Sequence, residues 1–354
     1  MSARLVVERP GLFDTVQDRG RVGFQELGMP TAGAMDRIAL ALANAVAGNT
    51  PDANAAALEM SVLGPTLLVE ADSVRVGLVG PIEASLIASE GAAPKPLPSD
   101  RSHTLTRGQR LKLGGIGGVS TAYLAVEGGI DVPVFMGSRS TYTRAALGGL
   151  EGRKLKEGDA LPLPRETASA RAELALAAPF DYGSGPIRVV PGPQADHFTE
   201  AGHATFTGSE YVVSKEADRM GIRFEGPKIE HSALGPDIVS DGIAPGAIQV
   251  PAAGLPIALL ADRQTAGGYS KIATIASADL PRTCRLLPGM RVRFTAITVA
   301  EAESLRREQE RRLAAAIAGL KPARPEGGID MKALYEENLI DGVVLCVHVR
   351  YHAN

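Results

Sequence analysis

The sequence predicts a mainly β protein with two β-barrel-like domains, a few helices and a helical C-terminal tail. Three observations lead to that class. Glycine (40) and proline (24) are abundant, and turn-forming residues return about every ten positions, a punctuation that suits many short strands. A pattern of turn glycine and alternating apolar residues occurs three times, as Leu105-x-x-Gly108-x-x-Leu111-x-Leu113, Leu155-x-x-Gly158-x-x-Leu161-x-Leu163 and Leu286-x-x-Gly289-x-x-Val292-x-Phe294. The copies are unevenly spaced, which excludes a solenoid, and each reads as a turn feeding an alternating strand of the kind common in barrels. Length is the third: 354 residues support two domains with full cores and need no disulfide or metal staple.

In chain order, 4–7 reads as a first strand. A turn at Pro10-Gly11 precedes an alternating segment that ends in Gln17, Asp18, Arg19 and Arg21, polar groups set between strand and glycine as in a site loop. The first helix spans 35–47: Ile38, Leu42, Ala45 and Val46 share a face, Asp36 favours its start, and Gly48-Asn49 stop it before Pro51. A short helical turn follows at 52–60. From 61 to 163 the text is β, clearest at 67–70, 73–78, 110–113 and 122–126, with the proline-rich 91–100 as a solvated hairpin tip or linker. Ala and Glu make 166–178 a helical or loose connection. Two Gly and two Pro mark 179–186 as the boundary between a first domain (1–180) and a second (186–297).

The second half holds strands at 187–190, 211–213, 222–224 and 271–276. Two short apolar runs, 248–250 and 257–260, are joined by a Pro/Gly turn and read as paired strands. A long helix over 300–320 opens the tail (298–354). A Pro/Gly break at 322–328 separates it from a second short helix and from 343–347, an apolar run suited to a sheet edge or a partner.

Charge and composition exclude several functions. Lys plus Arg (37) nearly balance Asp plus Glu (40), a net charge of −3 and too even for a protein held to nucleic acid by phosphate contacts. Arg306, Arg307, Arg311 and Arg312 alternate with Glu on one helix and read as a solvated face. Cys284 and Cys346 form no CxxC pair and suit a reducing compartment. No signal-peptide h-region opens the chain and no apolar run reaches membrane-spanning length, so a cytoplasmic protein without membrane contact is expected. There is no Gly-x-x-x-x-Gly-Lys-Ser/Thr loop for ATP, no Gly-x-Ser-x-Gly elbow and no Gly-Gly-Ser-Ser-Gly-Gly amidase signature. The six histidines show no HExxH; His197 and His203 are placed to share a helix face, and no metal site is expected. Met331-Lys332 resembles a biotin-attachment site in those two residues alone, and its neighbours argue against one.

The most informative stretch is 248–269. Its second strand delivers Asp262, Arg263, Gln264 and Thr265 in succession to a loop ending in Gly267-Gly268, where missing Cβ atoms let a ligand or a second backbone come close. A polar hairpin end capped by glycines reads the same way from this stretch alone. A second polar loop, Gly137-Ser138-Arg139-Ser140-Thr141, is followed by Gly148-Gly149.

Several ordered stretches carry a family resemblance. They are Thr15-Val-Gln-Asp-Arg-Gly-Arg, Gly33-Ala-Met-Asp, Gly48-Asn49 with Leu58-Glu59, Gly64-Pro-Thr-Leu, Gly128-Gly-Ile-Asp-Val-Pro and Gly137-Ser-Arg-Ser-Thr. Further on come Gly192-Pro-Gln, Asp218-Arg-Met-Gly-Ile-Arg, Ser240-Asp-Gly, Gln249-Val-Pro and Asp262-Arg-Gln-Thr-Ala-Gly-Gly-Tyr. To about residue 297 the chain resembles the biotin-dependent carboxyltransferase family, also called allophanate hydrolase subunit 2. That family includes the C subunit of bacterial 5-oxoprolinase, the antagonist of a sporulation-kinase inhibitor, and part of the carboxyltransferase domain of urea carboxylase.

The resemblance implies a cyclophilin-like second domain and chemistry on a small amide or urea-like substrate. It also implies a partner of the subunit 1 (kinase-inhibitor-like) type sharing a cleft, and a lactam-utilisation family protein in the complex. Among the family's members, the ATP-dependent 5-oxoprolinase complex, which opens 5-oxoproline to glutamate, suits this chain best. The alternatives are biotin-dependent carboxyl transfer to urea or a related amide, and a regulatory protein that binds a histidine-kinase inhibitor. The biotin carrier of urea carboxylase is missing. No cofactor is therefore expected on this chain: ATP is used by the complex, and biotin, where it takes part, comes on another chain.

An amide carbonyl is a poor electrophile, so a site must polarise it with donors and orient a carboxylate to move a proton. On the matched motifs the expected catalytic groups are Asp262 as base, Arg219 and Gln264 as orienting groups and Thr265 as a hydroxyl donor. Gln249, Asp218, Gln17, Gly267 and Gly268 are expected at the substrate, with Arg139 or Arg19 gripping its carboxylate in bidentate fashion. Together these loops are expected to converge on one water-filled pocket.

Overall fold

Strands Arg4–Arg9 and Thr66–Glu70 alternate apolar and polar residues, so pairing them puts Leu5, Val7, Leu67 and Val69 on one buried face. The computed structural model describes residues 3–323 and extends this pair into a six-stranded sheet. Its order is Ala160–Pro162, Arg4–Arg9, Thr66–Glu70, Arg110–Ile116, Ile82–Ile87, Lys95–Pro96. A seven-stranded sheet contributes Leu58, Met60, Val76 and Leu124 to the same core. Its order is Phe13–Gln17, Ala57–Ser61, Thr121–Val126, Ser73–Val79, Arg101–Thr106, Leu174–Ala175, Lys321–Pro322.

The second half closes on itself. Seven strands form a barrel in the order Ile187–Pro191, Lys271–Ile275, Ala247–Gln249, Ile257–Leu259, Gly221–Glu225, Glu210–Ala217, Arg291–Ala296. Parallel pairing of Ile187 with Phe294 completes the ring. Its interior is aromatic: Phe206 stacks on Phe294 at 4.7 Å and Phe224 meets the same ring edge-on at 5.4 Å. The mainly β class therefore holds, with a closed barrel in the second half and two packed sheets in the first.

The repeated Leu-x-x-Gly pattern is a real structural unit. Gly108, Gly158 and Gly289 take φ of +83°, +83° and +87°, values that favour glycine. Each donates its N–H to a valine carbonyl on the neighbouring strand, Val69, Val7 and Val213 respectively. The same valine N–H returns to the carbonyl of the residue after the glycine, at 2.8–2.9 Å. A turn thus pins the register of each following strand.

Two helices position the rest. Arg37–Ala47 starts where the Asp36 carboxylate accepts from the N–H groups of Ile38 and Ala39, each at 3.0 Å, and it ends at Gly48. Its apolar face covers the outer side of the seven-stranded sheet at Val79, Tyr123 and Ala125. Val299–Ala318 opens with a Thr298/Glu301 capping box and packs Leu313, Ala316 and Ile317 into that same cluster. Lys321–Pro322 then pairs with Leu174–Ala175, so the helix returns the chain to the first pair of sheets. Its arginines bridge to Glu one turn away, Arg306 to Glu310 and Arg307 to Glu303, as a solvated face requires. The second tail helix and the 343–347 run lie outside the described residues.

Some expectations fail. The helical turn at 52–60 is a 3-10 turn, Pro51–Ala53, followed by a strand, Ala57–Ser61. That strand lies between Phe13–Gln17 and Thr121–Val126, and pairing on both edges overrides the helix preference of Ala-Leu-Glu-Met. Of the two readings of 166–178 the loose connection holds, with a two-residue strand at Leu174–Ala175, and the strands Ile82–Ile87 and Arg101–Thr106 add to the clearest expected runs within the β stretch 61–163.

Candidate active site

Register brings two motifs together. Gly221 pairs with Leu259, so Asp218-Arg219, just before one strand, lie beside Asp262, just after the other. The Asp262 N–H donates to the Arg219 carbonyl at 2.9 Å, and the Arg219 guanidinium returns two bonds of 2.9 Å to the Asp262 carboxylate. The guanidinium also crosses to the first pair of sheets, donating to Glu59 and, at 2.6 Å, to the Gly33 carbonyl. Glu59 in turn accepts from the Tyr123 hydroxyl (2.5 Å) and the Met35 N–H (2.8 Å). Arg219, Asp262 and Glu59 are all buried. Burial opposes the Arg219 charge, but Glu59 and Asp262 outweigh it and hold the guanidinium above its ordinary pKa. Burial, then Glu59 and Asp36, push the Tyr123 phenol up.

A second hub is the Asp18 carboxylate. Oδ1 accepts from the Ser138 hydroxyl (2.6 Å), the Ser140 hydroxyl (2.5 Å) and the Gly20 N–H (2.8 Å). Oδ2 accepts from the Arg139 N–H (2.7 Å) and the Asn54 amide (3.2 Å). This one side chain ties the 17–21 loop to the 137–141 loop. Gly20 and Gly33 then let the 31–34 loop lie backbone to backbone on the first; a Cβ on Gly33 would sit 2.8 Å from the Gly20 nitrogen.

The remaining expected residues divide between places. Gln17 is sealed in, its amide donating to Thr15 Oγ1 (2.9 Å) and the Thr141 carbonyl (3.2 Å). Arg19 is exposed and donates to the Pro51 carbonyl, while Arg139 donates to the Val132 carbonyl (2.9 Å) and Asp131 (3.2 Å). At the barrel mouth, Gln264 approaches buried Gln249 at 3.4 Å beside Gly267, beneath the ribbon of Asp237–Gly242 with Ala266–Tyr269. Thr265 and Gly268 lie in the same stretch, and Gln25 donates to the Thr265 carbonyl at 3.3 Å. The single pocket expected from these loops is thus divided between a buried seam, a loop hub and the barrel mouth. Strand alternation turns Gln17 inward, and desolvated charges pair with each other before they face water.

What opens on the seam is a cleft of about 440 Å³ between the barrel and the first pair of sheets. Arg219 and Asp262 lie at its wall with exposed Asp218, and Thr143, Arg144, Ser61 and Thr121 face them from the first pair of sheets. Asp218 Oδ1 accepts the N–H groups of Met220 (2.8 Å) and Gly221 (3.2 Å), and its Oδ2 makes no bond among the described residues. Arg144 touches Met220 and has no carboxylate partner among the described residues. Phe13, Met35 and Leu287 make the rest of the wall apolar. Val62 at the rim holds a φ of +67°, a left-handed conformation costly for a β-branched residue. Such a cleft can hold one small molecule between a free carboxylate, a free guanidinium and a fixed ion pair.

Comparison with known proteins agrees with this architecture. Residues 27–296 match the family described as "Carboxyltransferase domain, subdomain A and B". The chain belongs to that family. Within this carboxyltransferase-domain family it is 37% identical to the C subunit of the 5-oxoprolinase of Escherichia coli, over 87% of this chain and 96% of that one. It is 34% identical to the Haemophilus influenzae protein of the same name, over 84% of this chain and 92% of that one. Among solved structures, the urea amidolyase of K. lactis superposes with a TM-score of 0.78 at 28% identity, covering 89% of this chain. The match spans 20% of that longer protein.

Three site residues were not singled out by sequence reasoning. Glu59 stood in a quoted motif with no role attached, Tyr123 lay in an expected strand, and Arg144 follows the 137–141 loop by three residues. No local pattern marks a side chain whose partner lies 160 residues away, as Arg219 does from Glu59.

Proposed function

We propose that the chain is the C-type subunit of an ATP-dependent 5-oxoprolinase that opens 5-oxoproline to glutamate. The observation that carries the reading is the 37% identity to the C subunit of the Escherichia coli 5-oxoprolinase across 96% of that protein. Its partners in this reading are a subunit 1 type protein and a lactam-utilisation family protein. The cleft geometry supports the chemistry. 5-Oxoproline is a small planar lactam bearing a carboxylate, which the unpaired Arg144 suits at the cleft wall. Asp262 already accepts two bonds from Arg219, so it orients that guanidinium. Asp218, with one oxygen free, is the carboxylate placed to move a proton at the lactam. Thr143 adds a hydroxyl at the same wall.

The donor set does not fit a triphosphate at this cleft, because Arg219 is saturated by two carboxylates and a carbonyl. In this reading ATP is handled on a partner chain. Reconstitution of the complex tests the reading. Asp218→Asn should lower kcat by roughly 10²-fold or more, the scale of a lost general base, and Arg144→Gln should chiefly raise KM for 5-oxoproline. Glutamate formation that proceeds without this chain would refute the assignment.

The match to urea amidolyase favours a second reading, carboxyl transfer to urea or a related amide with biotin supplied on another chain. Label from bicarbonate appearing in the product would support it over the first.

A further inference from the structure

On the far side of Met35 and Cys284 from the cleft lies a groove between helices Arg37–Ala47 and Val299–Ala318 and the barrel. It has two lobes of about 350 and 380 Å³ that share Arg37, Arg306, Glu310 and Leu313. Four guanidinium groups line it: Arg263 in the inner lobe, Arg19 in the outer, and Arg37 and Arg306 where the two meet.

Their partners are unequal. Arg306 pairs with Glu310 at 2.7 Å. Arg19 donates to the Pro51 carbonyl. Arg263 is 1% exposed and reaches only neutral acceptors, the carbonyls of Ile243 (3.1 Å) and Leu260 (3.3 Å) and the Gln25 amide (3.3 Å). Arg37 makes no side-chain hydrogen bond or ion pair among the described residues. Among the described residues, one carboxylate therefore faces four cations. Burial and the nearby Arg37 lower the Arg263 pKa to about 10; Arg37 is exposed at its side chain, and partial desolvation, then Arg306 and Arg19, lower its pKa. A cavity that gathers like charges is poorly matched to water alone and well matched to an anion.

We propose that this groove is a binding site for a small organic carboxylate, gripped by Arg37 over the buried Arg263 with its apolar body on Ile38, Leu280 and Leu313. A carboxylate is favoured over phosphate by the wall. Arg37 offers one unused planar fork, which matches two carboxylate oxygens, and the surrounding inner lobe is largely hydrocarbon. The outer wall, from Arg306 to Leu313, lies beyond residues 27–296, which match the family. The inference does not rest on the proposed activity, and binding is read without turnover.

The test uses the full chain in calorimetry and thermal shift. The probes are 4-methylpentanoate and benzoate, each against its uncharged amide, and inorganic phosphate. The acids should bind and raise the melting temperature, their amides should bind at least about tenfold more weakly, and Arg37→Gln should weaken the acids by a similar factor. Arg37→Gln removes a charge that has no hydrogen-bond or ion-pair partner among the described residues, so it should fold as the parent does. The proposal is overturned if neither acid binds, if an amide matches its acid, if Arg37→Gln binds as the parent does, or if phosphate binds more tightly than both acids.

Discussion

Arg219 holds Asp262 through two parallel hydrogen bonds, Nε to Oδ2 and Nη2 to Oδ1, each 2.9 Å. The same guanidinium continues to Glu59, so one cation joins the barrel to the first pair of sheets. The seam that shapes the cleft is therefore electrostatic at its centre, and its stability and the site's geometry depend on the same groups.

Removing either acidic partner leaves a buried cation half-compensated. Asp262→Ala and Glu59→Ala should each cost about 3–5 kcal/mol in urea unfolding. The double variant should depart from the sum, because both changes act on one guanidinium. Additive losses would show that the two carboxylates act independently.

Asp18 should matter through the loops it joins. Asp18→Ala strands five donors and should cost several kcal/mol, at about 1–3 kcal/mol for each one left buried and unpaired. Amide hydrogen exchange should quicken at 138–141 and at Gly20 before the barrel strands change. Unaltered exchange in both loops would remove the hub role.

Asp14 gives a pH signature. Its carboxylate is 1% exposed and accepts one bond, from the Gly11 N–H at 2.6 Å; burial lifts its pKa from 3.8 to about 7. The folded state thus holds the proton more tightly than the unfolded one between these values. This stabilisation is complete below about pH 4 and is lost as pH rises through 7. Asp14→Asn should remove that slope, worth at most roughly 4 kcal/mol, and should leave a protein more stable than the parent at pH 8. Parallel stability–pH curves for the two proteins would contradict the assignment.

Val62 offers a stabilising change. Its φ of +67° suits glycine, and its side chain is 53% exposed, so little packing is lost on truncation. Val62→Gly should raise stability by about 1 kcal/mol in thermal unfolding. A loss of stability would mean that contacts of Val62 at the cleft rim outweigh its backbone strain.

Much of the fold is legible because its signals are local. The ends of Arg37–Ala47 are written in Asp36 and Gly48, and the capping box of the last described helix in Thr298 and Glu301. The three glycine turns specify their strands within nine residues each. Strand Ala57–Ser61 is illegible for the opposite reason: its neighbours, Phe13–Gln17 and Thr121–Val126, lie far along the chain, and they decide its conformation. The candidate site follows the same division. The Asp218-Arg219 and Asp262 motifs stand out as sequence, yet Glu59 and Arg144 beside them carry no spacing that marks their role.

The sequence by itself determined the mainly β class, the helix ends, the turn-and-strand units and the family. Tertiary structure decided which polar motif residues face a cavity, as Asp218 and Arg144 do, and which serve as buried bridges, as Asp18 and Arg219 do. The physical reason is that turns and caps are set by neighbours in the chain, whereas a desolvated charge is satisfied by whichever group the packing of distant strands brings within reach.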